Sequence, residues 1–278
     1  MQQGPWHVSV ITLMPQMWPG PLAHSLIGDA LARELWRLSL IDLRQFGIGA
    51  HQKVDDTPYG GGAGMVLKPD VVDAAITHAR QQHFTRYQAD AEASGTSPPI
   101  GGRMRGGLPQ SAALVSAPLP TSPRWGEELK TPQLVHFTPR GEPLRQQHFR
   151  ELASRDVILL CGRYEAIDQR VLDKHQPLEI SLGDFILTGG DIPAMALVEG
   201  IVRLLPGVVG AHESLGEESF GDGDYAKLLE YPHYTKPATW DGHEVPPVLT
   251  SGNHAEIAKW RRAEAEATTR TRRPDLLK

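Results

Sequence analysis

VILLCGRYEAIDQRVLDKHQPLEISLGDFILTGGDIPAMALVEG, residues Val157 to Gly200, decides how the chain folds. An apolar run, Val157 to Cys161, stops at Gly162-Arg163-Tyr164-Glu165. A second short run stops at Ser181-Leu182-Gly183-Asp184. A third, Phe185-Ile186-Leu187, enters Thr188-Gly189-Gly190-Asp191 and then a long apolar helix, Ile192 to Leu205, ended by Pro206-Gly207. Short apolar runs bounded by turn residues read as buried strands. Glycine accepts positive φ and close backbone approach, so three such turns within about thirty residues suit either a backbone-lined pocket or plain tight turns.

Upstream, Leu134 to Phe137 reads as a strand ending at Thr138-Pro139-Arg140-Gly141, with Pro143 opening a helix to about Ala153. Asp168 is placed to cap a helix through about Lys174. At the start of the chain, strand Val8–Leu13, helix Ser25–Trp36 and strand Leu38–Leu43 form a parallel βαβ unit. Val54 to Met65 holds four glycines in five positions, Gly60 to Gly64, which exclude helix and paired strand. It lacks the Gly-Lys-Ser/Thr of a phosphate-binding loop and the spacing of a dinucleotide fingerprint. It is a surface loop or a cradle whose amides hold an anion. A helix over Asp70–Arg80 follows. Residues 89–131, dense in Gly, Pro and Ser, cannot bury enough apolar surface to offset their ordering, and read as a disordered insertion.

Downstream, His212 to Asp224 is acidic and glycine-containing, a flexible connector. Pro232, Pro237, Pro246 and Pro247 argue against regular structure up to Leu249, and a helix spans about Ala255–Ala267. From Lys259 onward seven Lys/Arg face three Asp/Glu, in a chain of 278 residues whose net charge is −5. That balance excludes a protein basic all over but not a local basic patch. One cysteine, Cys161, excludes a disulfide framework or a Cys-rich zinc site. No apolar run reaches the roughly 18 residues of a membrane span, and Met1–Pro5 lacks the start of a signal peptide. The expected location is cytoplasmic, with no membrane or DNA partner.

Taken together, these motifs resemble the bacterial TrmD family of tRNA (guanine-N1)-methyltransferases, within the knotted SPOUT superfamily. The resemblance rests on Pro58-Tyr59-Gly60-Gly61-Gly62-Ala63-Gly64-Met65, on the Cys161–Glu165 and Ser181–Gly190 stretches, and on Pro206-Gly207-Val208. It continues through Pro232-His233-Tyr234-Thr235, Val245–Leu249, Ser251-Gly252-Asn253-His254, Trp260-Arg261 and Arg272-Arg273-Pro274, in family order across all but the insertion. It implies an α/β fold, a parallel-sheet SPOUT domain over residues 1–209 with a deep trefoil knot near Gly162 to Gly190. A linker, 210–225, and a small, mostly helical tRNA-binding domain, 226–278, complete the chain. It also implies a homodimer whose site is completed across subunits, and methyl transfer from S-adenosylmethionine to N1 of the guanine immediately 3′ of the anticodon, position 37, in tRNA.

The family's cofactor contacts fall on His136, Phe137, Thr138, Pro139, Gly162, Tyr164, Glu165, Leu182, Gly183, Phe185, Leu187, Gly189 and Gly190. His136 stands where relatives commonly have Tyr. The implied catalytic pair is Arg203, donating to guanine O6, and Glu218 as base for the N1 proton; the family usually has Asp there. Asp222 and Asp224 are local rivals. Arg203 has a plainer role to fill at a helix C-terminus, and the acidic cluster a plainer one as solvated linker. RNA contacts are implied for Tyr59, Gly60, Gly61, His233, Ser251, Asn253, His254, Arg261 and Arg273, with Tyr234 and Trp260 as stacking or core aromatics. Relatives use magnesium, for which no ligand set is visible. The rival readings are a SPOUT enzyme with another RNA target and a catalytically impaired RNA-binding homologue. Excising residues within 89–131 is expected to leave folding intact; a full-length-like thermal transition is the check, and its loss would contradict the expectation.

Overall fold

The computed structural model describes residues 4–93, 131–210, 218–221 and 223–278. The chain divides into two compact units, residues 1–208 and 209–278. The first is an α/β unit on a five-stranded parallel sheet, in order β2 (Trp36–Asp42), β1 (Trp6–Thr12), β6 (Val157–Leu160), β5 (Gln133–Pro143) and β8 (Leu178–Ser181). Parallel strands require crossovers, and helices on both faces bury the sheet, which is why the central strand, Val157-Ile158-Leu159-Leu160, is apolar and buried throughout while edge strand β2 keeps polar positions.

Alternation along the strands sends residues to opposite cores. Val8, Val10, Val135, Leu159 and Cys161 pack with Ile27 and Ala30 of α1 (Ser25–Ala32), Leu152 of α3 (Gln146–Ala153), and Leu197, Val198 and Ile201 of α5 (Asp191–Val202). Ile11, Leu134, Ile158 and Leu160 pack with Val72, Ala75, Ile76 and Ala79 of α2 (Pro69–Ala93), and with Val171 and Leu172 of α4 (Gln169–His175). Each Val, Leu or Ile side chain among them contributes roughly 1.5–3 kcal/mol by leaving water. A small second sheet joins β3 (Asp55–Asp56), β4 (Val66–Leu67) and β7 (Ala166–Ile167).

Several expectations are corrected. Helix α1 ends at Ala32 and β2 begins at Trp36, because Glu34, in the left-handed region at φ 55°, turns the chain. Helix α2 runs thirteen residues past Arg80, to Ala93: its outer turns are tied down by Arg86, whose Nη2 donates to Asp156 Oδ2 at 2.8 Å. Residues 89–93 of the expected insertion are therefore helical, and 94–130 lie outside the described residues. Thr138–Gly141 does not end β5 but bulges from it, since Ile180 pairs with both Phe137 and Glu142. Pro143 is the last residue of β5, not the first of a helix; α3 starts at Gln146, with His148 Nδ1 accepting from Arg145 N–H at 2.9 Å. Phe185–Leu187 is loop rather than strand, turned by Phe185 N–H donating to Gly183 O at 2.9 Å.

The second unit holds a hairpin of β9 (Thr239–Trp240) and β10 (His243–Glu244), the short helix α6 (Pro247–Thr250) and α7 (His254–Arg272). Regular structure thus persists where prolines argued against it, since Pro247 occupies a helix start, where its missing N–H costs nothing. Helix α7 is longer than expected and is capped by Asn253. Thr269 Oγ1 donates to Ala265 O at 2.7 Å and accepts from Leu229 N–H at 2.8 Å, tying the Leu228–Tyr231 segment to α7.

At the N-terminal ends of β1 and β6, His7 is buried beside Asp156, His83 and the guanidinium groups of Arg86 and Arg37. Burial, then the Arg86 charge, lowers its pKa to about 3. The folded state therefore binds fewer protons than the unfolded state between pH 6.5 and 3, and stability falls as pH drops through that window, by about 1.4 kcal/mol per pH unit from this group. Denaturant unfolding of His7→Gln should show a shallower acid slope than wild type; equal slopes would contradict the assignment.

Candidate active site

The bulge of β5 and the loops after β6 and β8 all lie at the C-terminal end of the parallel sheet, where open α/β folds bind ligands. They enclose a cavity of about 1440 Å³. Every cofactor residue implied by sequence lines it: His136, Phe137, Thr138 and Pro139 from β5, and Gly162, Tyr164 and Glu165 from the loop after β6. Leu182, Gly183, Phe185, Leu187, Gly189 and Gly190 come from the loop after β8. His136 is 7% exposed, and its Nδ1–H donates to Leu160 O at 3.2 Å. Burial lowers its pKa, outweighing the carbonyl contact that raises it, so the ring is neutral.

The glycine-rich loop is joined to this cavity. Glu165 N–H donates to Met65 O at 3.0 Å, and β4 pairs with β7 immediately beyond. Gly64, at φ +84°, passes so close to Glu165 that a Cβ there would sit 2.3 Å from its Cγ. Glycine is required at that position both for φ and for space. Tyr59 is fully exposed and lines the cavity, whereas Gly60 and Gly61 are exposed but are not among its lining residues.

Reading the sequence missed Arg163 and Asp191. Arg163 lines the cavity and makes an ion pair of 2.8 Å with Asp191, the buried first residue of α5. The available signal was an arginine in one glycine turn and an acid just after another. Cys161 is buried, and burial, with the charge of Asp191, pushes its thiol well up, so it is no nucleophile.

Arg203 forms the C-cap of α5, its N–H donating to Glu199 O at 3.2 Å, and is half-buried. Glu218 belongs to the second unit and is half-buried in a turn: Gly221 N–H donates to Glu218 O at 2.8 Å, Phe220 N–H to Leu228 O and Glu230 N–H to Ser219 Oγ. Of the expected linker, residues 211–217 and 222 lie outside the described residues, as does its candidate Asp222.

The implied RNA residues of the second unit divide by environment. Ser251 and Asn253 build the start of α7, Asn253 N–H donating to Ser251 Oγ at 3.1 Å. His254 is exposed at that helix start. Arg273 pairs with Asp275 at 2.8 Å and His233 with Glu230 at 2.8 Å. Arg261 lies 4.8 Å over the Tyr231 ring, a cation–π contact within the unit's own core. Trp260 meets Tyr234 at 6.3 Å between ring centroids.

Among the described residues, the group of three candidate ligands is His7, His83 and Asp156, at the opposite end of the sheet. The Arg86 guanidinium already stands 2.9 Å from His83 Nδ1 and 2.8 Å from Asp156 Oδ2 there. The cavity is lined by four carboxylates, Asp56, Asp70, Glu165 and Asp168, of which Asp56 pairs with Lys53 and Lys68 and Asp168 with Arg170, and among the described residues no three of them bring their oxygens together as the His7 group does. A magnesium ion wants several oxygen ligands together, and these described residues do not fit a protein-held site.

The family profile described as tRNA (Guanine-1)-methyltransferase TrmD matches residues 6–97 and 109–278. A protein of Rhodospirillum rubrum named tRNA (guanine-N(1)-)-methyltransferase is 46% identical over 268 residues, covering 96% of this chain and 90% of its own. Relatives of the same name from Ruegeria pomeroyi and Gluconobacter oxydans are 46% and 42% identical, covering 98% of this chain in each case and 93% and 94% of their own. The extent of the match and the level of identity agree: the chain belongs to the tRNA (guanine-1)-methyltransferase TrmD family.

Proposed function

We propose that this protein transfers the methyl group of S-adenosylmethionine to N1 of guanine 37, immediately 3′ of the anticodon, in tRNA, working as a cytoplasmic homodimer. The observation that carries the proposal is the convergence of the β5 bulge and the loops after β6 and β8 on one cavity. Its size exceeds the roughly 300–1,000 Å³ of ordinary small-molecule pockets, leaving room for a nucleobase beside the donor. Its wall combines apolar Phe137, Leu182 and Leu187 with the backbone of glycine turns, which suits an adenosine held by main-chain groups. On this proposal the segment Gly162 to Gly190 is also the knotted part of the chain.

When bound, the donor supplies a methyl group on an electrophilic sulfonium. The chain supplies the rest. His136 to Pro139 and the two glycine loops hold the donor in line with its acceptor, converting a bimolecular encounter into a positioned one. Glu218 takes the N1 proton, which must leave as the new N–C bond forms, and the Arg203 guanidinium donates to O6, where negative charge collects. The Glu218 turn is anchored at Ser219 and Phe220 to Leu228–Glu230, which favours a positioned base over a solvated one. Reaction at N1 requires the base out of its stack, and a single-stranded loop offers it at small cost. The exposed Phe185, Ile186 and Ile192, at 54%, 78% and 52%, supply apolar surface for the second subunit.

Labelled methyl transfer to tRNA transcripts carrying G or A beside the anticodon tests the proposal. G-dependent N1 methylation is expected. Methylation elsewhere would favour another RNA target, and binding without transfer an impaired homologue. Glu218→Gln is expected to keep donor and tRNA binding and to lower kcat about 10²- to 10⁴-fold; unchanged turnover would remove Glu218 from the mechanism. Arg203→Ala should lower kcat about 10²- to 10³-fold, with donor affinity unaltered in equilibrium dialysis.

A further inference from the structure

Asp191 is 1% exposed, and its two oxygens are filled. Oδ1 accepts from Thr12 Oγ1 at 2.6 Å and from Trp18 Nε1 at 3.1 Å. Oδ2 accepts from Arg163 Nη2 at 2.8 Å and Nε at 3.2 Å. Thr12 ends β1, Arg163 lies in the loop after β6, and Asp191 opens α5, so one carboxylate gathers three elements at the cavity end of the sheet. The N-terminus of α5 adds a favourable dipole for the negative charge.

The arginine does more than neutralise that charge. Its backbone lies between Gly162 and Tyr164, and Tyr164 is held in the left-handed region at φ 62°. Its side chain crosses to the opposite loop and lies against Gly189, where a Cβ would stand 2.6 Å from Nε and 2.9 Å from Cζ. Beside it, Gly190 N–H donates to Gly162 O at 2.9 Å, and a Cβ on Gly190 would stand 2.9 Å from Cys161 Cα. The two cavity loops are therefore held together by one backbone hydrogen bond and one side-chain fork. A fork fixes direction as well as distance, which an ammonium does not.

We infer that Arg163 is a positioning residue: gripping Asp191 across Gly189, it sets the separation of the Gly162–Glu165 and Thr188–Gly190 loops and thereby the affinity for the methyl donor. The inference rests on the proposal that this cavity holds S-adenosylmethionine. Arg163 acts through the loops, and Glu218 and Arg203 keep the chemistry.

The test measures S-adenosylmethionine binding to the full-length protein by calorimetry, without tRNA, alongside thermal midpoints and the separate KM values for donor and tRNA. Arg163→Met should raise the donor Kd and KM about 10- to 100-fold, the scale expected for losing charged hydrogen bonds, with the tRNA KM unchanged. Arg163→Lys should recover part of that loss. Gly189→Ala keeps both charges but displaces the guanidinium, and should raise the donor Kd about 10-fold. If Arg163→Met does not fold, Gly189→Ala decides. A Gly189→Ala protein that binds the donor as wild type does, or a folded Arg163→Met protein altered only in its melting temperature, would overturn the inference. Failure of the wild-type protein to bind the donor would instead overturn the function on which it rests.

Discussion

Gly190 sits against the backbone of Cys161 and Gly162 more closely than any side chain would permit, and the cavity depends on that approach. Strand β6 ends there and α5 begins there, so the two glycine turns share a single junction. Asp191 beside it is fully buried and Arg163 partly so, and removing the arginine would leave a buried carboxylate without its counter-charge. A junction of this kind has little freedom to relax. It is suited to holding a small molecule by its backbone and unsuited to variation in sequence.

The rest of the first unit follows from burying the sheet on both sides. Helices α1, α3 and α5 cover one face and α2 and α4 the other, which leaves the strand ends as the place where loops are released from packing. The cavity forms at one end. The other end is closed by the His7, His83, Arg86 and Asp156 cluster, in which the Asp156 carboxylate accepts from Arg86 and from the His7 backbone N–H and lies 3.1 Å from His83 Nδ1, while the His7 ring meets Ser39 Oγ. The two ends thus differ in kind: one is built from backbone and is open, the other from side chains and is filled.

Much of this was legible because it is local. Apolar runs at Val8, Leu134 and Val157 announce strands, the glycine turn after Cys161 marks the end of one of them, and Asp168 announces a helix start that its side chain does cap, accepting from Arg170 N–H at 3.0 Å. What was not legible depends on partners distant in sequence. The bulge at Thr138–Gly141 exists because β8 pairs on both sides of it. The length of α2 depends on Arg86 finding Asp156, seventy residues away. Phe185–Leu187 has the apolar character of a strand but no neighbour to pair with, and becomes cavity wall. Arg163 and Asp191 look unremarkable until β6 and α5 bring them together. In the second unit, Ser251 and Asn253 stand in a family motif, yet their visible work is to start α7.

The proposed function puts the methyl donor in the cavity at the C-terminal end of the first unit's sheet. Hydrogen–deuterium exchange of the full-length protein with and without S-adenosylmethionine reads that placement, since a donor held by main-chain groups protects backbone amides. Protection should concentrate at residues 136–138, 162–165 and 182–190, with little change at the Thr269-anchored core of the second unit. Protection that bypasses those three segments, or a bound donor that leaves them exchanging as before, would contradict it.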